Sequence, residues 1–169
     1  MKMTVLQWAD WISKTSISLT LSNHQWVVPT SQSIHILGVS VVFSSALMIS
    51  LRVLGVGKGR RSLSELTGTL VPWMYWGLTA LLLTGAVQTL AEPVRQFVTP
   101  AFWSKMFMIV CALTMTRSFA RAVAGQPDLW DSPSERPRYA KLWCLVSLAL
   151  WIAIIFCGRF IGYTWESHL

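Results

Sequence analysis

His35 stands inside an apolar stretch that carries no charge between residues 31 and 51, with Gln32 one turn before it and Gly38 one turn after. Lys105 and Arg159 lie at comparable depths in two other apolar stretches, and Thr84, Gln88 and Tyr163 sit near the ends of theirs. An imidazole brought together with an ammonium and a guanidinium makes an electropositive layer. Such a layer suits an anionic or electron-rich group: haem propionates, a quinone oxygen or an acidic small molecule. In that arrangement His35 acts as axial ligand or hydrogen-bond partner. Lys105 and Arg159 neutralise negative charge, and Gln32, Gln88 and Tyr163 complete the polar shell.

Each of these residues also has a plainer reading. Lys105 and Arg159 lie close enough to a membrane surface to snorkel into headgroups, and a solitary membrane histidine often hydrogen-bonds a neighbouring helix. Their coincidence in depth favours the joint reading. A bis-histidine haem needs two facing imidazoles, and His24 and His168 both fall outside the apolar stretches, which leaves a haem with one histidine ligand. Copper accepts imidazole, thioether and thiolate donors. His35 is the metal-ligand candidate, with Met106, Met108 and Cys157 at similar depth, although helical spacing turns the two methionines to different faces. Cys111, Cys144 and Cys157 show no CxxC spacing and read as buried thiols. Hydrolase, nucleotide-binding and zinc-protease motifs are missing, and the seven carboxylates all lie outside the expected spans. No catalytic residue is assigned. The chain is expected to work beside other proteins rather than as an enzyme on its own.

The elements that hold these residues follow from composition. Of 169 residues 53% are hydrophobic and 12% charged, against about 25% charged in a soluble domain. The chain predicts an all-α integral membrane protein: a bundle of four transmembrane helices, forming one membrane domain over residues 1–169. Residues 4–21 mix apolar and polar groups at helical spacing and predict an amphipathic helix lying in the interface. Spans are expected at 31–54, 70–91, 101–120 and 142–163. Pro72 is placed in the first turn of the second span, where proline is tolerated. Thr99-Pro100 opens the third, and residues 124–138 read as a proline-broken polar loop. Nine Lys and Arg residues (52, 58, 60, 61, 117, 121, 136, 138 and 141) flank one set of span ends, against five on the other side. The bias places the chain in a bacterial inner membrane with both termini in the periplasm. The formal charge of +7 is therefore read as topology and not as a nucleic-acid surface. Most of the ten tryptophans flank span ends as interfacial anchors.

The segment WVVPTSQSIHILGVSVVFSSALMISLRVLG (26–55) resembles a bacterial family of small membrane proteins catalogued as a domain of unknown function. The similarity continues through Arg52-Val-Leu-Gly55, Pro72-Trp73, Gly85, Pro100-x-Phe102-x-x-Lys105 and Gly158-Arg159-x-x-x-Tyr163. The family pattern often has an acidic residue where Gln32 stands and another near Ser50. The resemblance implies the same four-span topology and points again to His35, Lys105 and Arg159. In size and helix count alone, the chain is also similar to copper-resistance membrane proteins and four-helix cytochromes b. Three roles are therefore expected, in this order. The first is a membrane protein holding haem or quinone near the periplasmic face, as an accessory or electron-transfer subunit of a membrane or periplasmic oxidoreductase. The second is a structural accessory subunit without cofactor, and the third is handling or transport of copper or a small solute.

Overall fold

The computed structural model describes residues 4–56 and 61–166, with the side chains of the last helix described as far as Ile161. All regular elements among the described residues are helices. Two short ones, α1 (Val5–Ser13) and α2 (Ser16–Asn23), precede the long α3 (Val27–Val53) and α4 (Leu63–Ala91). A six-residue helix, α5 (Pro93–Val98), leads into α6 (Pro100–Gly125), and α7 (Pro127–Asp131) leads into α8 (Tyr139–Glu166). The four long helices have mean hydropathies of 1.4 to 2.3, yet only 17–33% of each apolar window is buried. Trp76, Leu82, Leu83, Phe107 and Phe156 all face outward. Water does not tolerate that much exposed apolar surface, whereas lipid covers it at no cost. The protein is a four-transmembrane-helix bundle.

Around the bundle, α3 packs along α4 and against α8, while α6 packs against α8 and α4. Helices α3 and α6 therefore occupy diagonal corners, and a side chain from either must cross the interior to meet the other. Val42, Ala46, Ile49, Met74, Ala112, Phe119, Trp151 and Ile154 fill that interior. The α3–α4 seam is the closest. A Cβ on Gly77 would stand 2.8 Å from Val42 Cγ2 and 3.3 Å from the Gly38 carbonyl oxygen, and one on Gly38 would stand 3.3 Å from the Gly77 carbonyl oxygen. Two glycines facing each other let the backbones approach, the packing device expected where no hydrophobic force draws helices together.

Several elements differ from the sequence-based expectation. The amphipathic start is two helices, because Thr15 closes one and caps the next. Its hydroxyl donates to the Ile12 carbonyl oxygen at 2.6 Å and accepts from the Ser18 amide at 3.4 Å. Helix α4 begins at Leu63 and not near residue 70, because Ser62 caps it through the Glu65 amide. Pro72 consequently lies inside the helix instead of in its first turn. The Gly68 carbonyl, four residues earlier, loses its intrahelical donor to proline.

The expected loop 124–138 contains the turn of helix α7, anchored by Trp130, which is 2% exposed and stacks edge-on against Phe119. Asp131 then reaches the start of α4, accepting from the Ser64 amide at 2.8 Å and the Ser64 hydroxyl at 2.6 Å. Burial pushes its carboxyl upward, but the hydrogen bonds from Ser64, Ser62 and the Leu63 amide outweigh this and hold it below the usual carboxylate range. A lowered native value adds stability above the unfolded pKa of about 4, and that stability disappears as pH falls through the native value. Thermal unfolding in detergent between about pH 6 and 3 should show this acid loss in the wild type and a shallower one in Asp131→Asn. Equal slopes would assign the acid loss to other groups. The same end holds Arg136, which donates to the carbonyl oxygens of Trp130 at 2.6 Å and Arg52 at 3.1 Å.

Candidate ligand-binding site

Ser31, His35, Gly38 and Val42 recur at spacings of four, three and four, which aligns them on one face of α3. Gly77, Leu81, Thr84 and Gln88 repeat the same spacing on α4. The two stripes meet. Below, the Gly38–Gly77 contact closes the seam; above it the polar pairs begin. The Ser31 hydroxyl donates to the Thr84 carbonyl oxygen at 3.1 Å, and Gln88 Nε2 donates to Ser31 Oγ at 3.5 Å. His35 Nδ1 lies 2.8 Å from Thr84 Oγ1. The imidazole Cε1 stands 3.7 Å from the position a Cβ on Gly85 would take, so glycine there leaves the ring its place.

The proton on His35 can be assigned from its partner. The Thr84 hydroxyl has one proton and lies 2.7 Å from the Ala80 carbonyl oxygen, the usual back-bond of a helical threonine. With that proton committed, Thr84 Oγ1 accepts from His35 Nδ1–H. In the neutral ring, Nε2 then carries the free lone pair.

Lys105 comes from the opposite corner. Its Nζ lies against α8, 3.4 Å from where a Cβ on Gly158 would stand. It is within electrostatic reach of Cys157 on the same helix and of His35 across the diagonal. The ion pairs among the described residues join Lys14 to Asp10, Arg61 to Glu65 and Arg95 to Glu92. None involves Lys105, and among the described residues no hydrogen bond does either. The ammonium is packed against α8 and, among the described residues, its three donors meet no counter-ion.

The remaining candidates divide. Gln88 joins the layer through Ser31. Gln32 and Arg159 are exposed on the outer faces of α3 and α8, away from the cluster. Each is one residue from a neighbour that does face inward (Ser31 and Gly158), and one residue is a rotation of about 100° around a helix. The Tyr163 side chain, Lys58, Arg60 and His168 lie outside the described residues. Ser31, Gly85 and Gly158 were not singled out as site residues from the sequence. Ser31 carried a signal, since a residue four before His35 shares its face more closely than Gln32 at three before. Gly158 carried one only as part of the Gly158-Arg159-x-x-x-Tyr163 resemblance, and its place against Lys105 depends on the position of α6.

The donor set also bears on cofactors. Among the described residues no three His, Cys, Asp or Glu side chains gather as a metal site. His24 is exposed with Nδ1 2.7 Å from the Thr20 carbonyl oxygen, so it does not supply a second imidazole to His35. Met106 is exposed and Met108 packs on the core. An apolar groove of about 690 Å³ runs between Thr4–Leu6 and the residues Phe97, Val98, Pro100, Trp103 and Ser104. It is lined by no ionisable group.

A family profile matches residues 7–164, nearly the whole chain including all four spans. The chain belongs to the DUF6644 family. That family is one of unknown function, so membership fixes the kind of protein and leaves its activity to be argued from the site. No curated protein and no solved structure matches the chain. In this DUF6644 member, the His35–Lys105 layer is where sequence depth and structural convergence coincide.

Proposed function

We propose that this DUF6644 protein binds a redox-active ligand of the quinone class between His35 and Lys105, as an accessory or electron-transfer subunit of a membrane oxidoreductase. The observation that carries the reading is the Lys105 ammonium, which has no ion-pair or hydrogen-bond partner among the described residues and lies within electrostatic reach of a histidine whose orientation is fixed by Thr84. An ammonium in a span is costly, and one without a protein counter-ion is retained where a ligand supplies the missing oxygen. A quinone is soluble in the surrounding bilayer and presents such oxygens. The same ammonium disfavours copper, because it repels a metal cation from the adjacent imidazole. One imidazole is half of a bis-histidine haem site, which places haem behind quinone.

The clustering of Arg52, Arg61, Arg117, Arg121, Arg136, Arg138 and Lys141 at the far end supports an inner-membrane orientation with the ligand layer toward the periplasm. Labelling a cysteine at position 22 in intact cells with an impermeant maleimide tests that side.

Ligand binding is tested on protein purified in mild detergent. Solvent extraction should release a quinone identifiable by mass and ultraviolet spectrum. A decyl-tailed benzoquinone should quench tryptophan fluorescence saturably, with affinity falling by about tenfold or more in His35→Ala. The reading is falsified if no quinone co-purifies and the titration shows only linear partitioning.

A further inference from the structure

The site presents two different hydrogen-bonding groups. Lys105 offers only donors, because an ammonium has three protons and no lone pair. His35 offers an acceptor. Its Nδ1–H is committed to Thr84 Oγ1 at 2.8 Å, whose own proton goes to the Ala80 carbonyl oxygen at 2.7 Å, and this leaves the lone pair on Nε2. A quinone ring carries carbonyl oxygens, which accept and never donate. One such oxygen satisfies Lys105 but sets lone pair against lone pair at His35. A quinol oxygen does both: it donates its proton to Nε2 and accepts from the ammonium.

We infer that the site selects the reduced, hydroxyl-bearing form of its ligand, with Thr84 as the positioning residue that fixes the acceptor face of His35. The inference rests on the quinone-class reading above and sharpens it. The preference arises from the tautomer of His35. Changing the acceptor of Nδ1–H should therefore change the ligand's preferred oxidation state without changing which ligand binds. Thr84→Val keeps the shape of the side chain and removes the oxygen, freeing the imidazole to carry its proton on Nε2. Thr84→Ser keeps the oxygen.

The experiment compares a decyl-tailed benzoquinone with its borohydride-reduced quinol, held anaerobically, by tryptophan fluorescence titration of the full-length protein in detergent. The wild type should bind the quinol about tenfold more tightly. That ratio should collapse toward one in Thr84→Val and persist in Thr84→Ser. Equal affinities in the wild type, or tighter quinone binding, overturn the inference while leaving the quinone-class reading in place. An unchanged ratio in Thr84→Val overturns the role of Thr84. Absence of saturable binding by either form overturns the underlying reading as well.

Discussion

Gly77→Leu should abolish the folded bundle. At this position even a Cβ comes within 2.8 Å of Val42 Cγ2 and 3.3 Å of the Gly38 carbonyl oxygen. Val42 is β-branched and 1% exposed, so it has little room to rotate away, and the carbonyl belongs to a helix backbone. Overpacking by a single methyl group costs about 1–3 kcal/mol. Four carbons force α3 and α4 apart and break the polar contacts of Ser31 and His35 above the seam. Size-exclusion chromatography in detergent should show aggregate in place of a single symmetric peak, and Gly77→Ala should survive with a lowered melting temperature. Gly68→Leu is the control. It lies on the same helix with nothing within 4 Å of its Cβ, so it should remain monodisperse. If Gly77→Leu elutes and melts like the wild type, the α3–α4 seam is not as close as described.

Lys105→Met should make the protein more stable and weaken its ligand binding. Methionine keeps the length and flexibility of the lysine stem and removes the charge. The charge is what the fold holds at a cost, since a cation deep in a span is unfavourable by about 2.5–3.5 kcal/mol and somewhat less one turn from its end. With no carboxylate beside it among the described residues, the substitution leaves no orphaned partner, unlike the removal of half an ion pair. The melting temperature should therefore rise. The ligand, by contrast, loses a charge-assisted hydrogen bond worth about 1.5–3 kcal/mol, a fall in affinity of about 10- to 100-fold. Lys105→Arg, which retains the charge, should keep a measurable part of the binding. The opposite signs are the informative feature. A lysine kept only for packing would lose stability on substitution, and that outcome would remove the functional reading of the residue.

Much of the fold was legible in the sequence because hydropathy in a membrane is a strong one-dimensional signal. Runs of apolar residues near the bilayer thickness locate four helices whatever their mutual arrangement. Helix starts were less legible. Ser62 caps α4 a full ten residues before Pro72, and a single serine in a polar stretch offers little warning that a proline will be carried inside a helix. The buried Trp130 shows the same difficulty in the loop, since a tryptophan near a span end reads as an interfacial anchor until Phe119 is seen beneath it.

For the site, the sequence by itself determined depth. Counting residues from the span ends put His35, Lys105, Thr84 and Gln88 in one layer, and depth along a helix follows from a fixed rise per residue. What only the tertiary structure decided was azimuth. Gln32 and Arg159 share that depth and face outward, while Ser31 and Gly158, each one residue away, face in. Direction around a helix depends on where its neighbours stand, and those positions are set by contacts such as Gly38 on Gly77 that belong to two helices at once. The convergence of Lys105 on His35 from the diagonal corner is of this kind: it exists because α4 and α8 hold α3 and α6 apart by one bundle width.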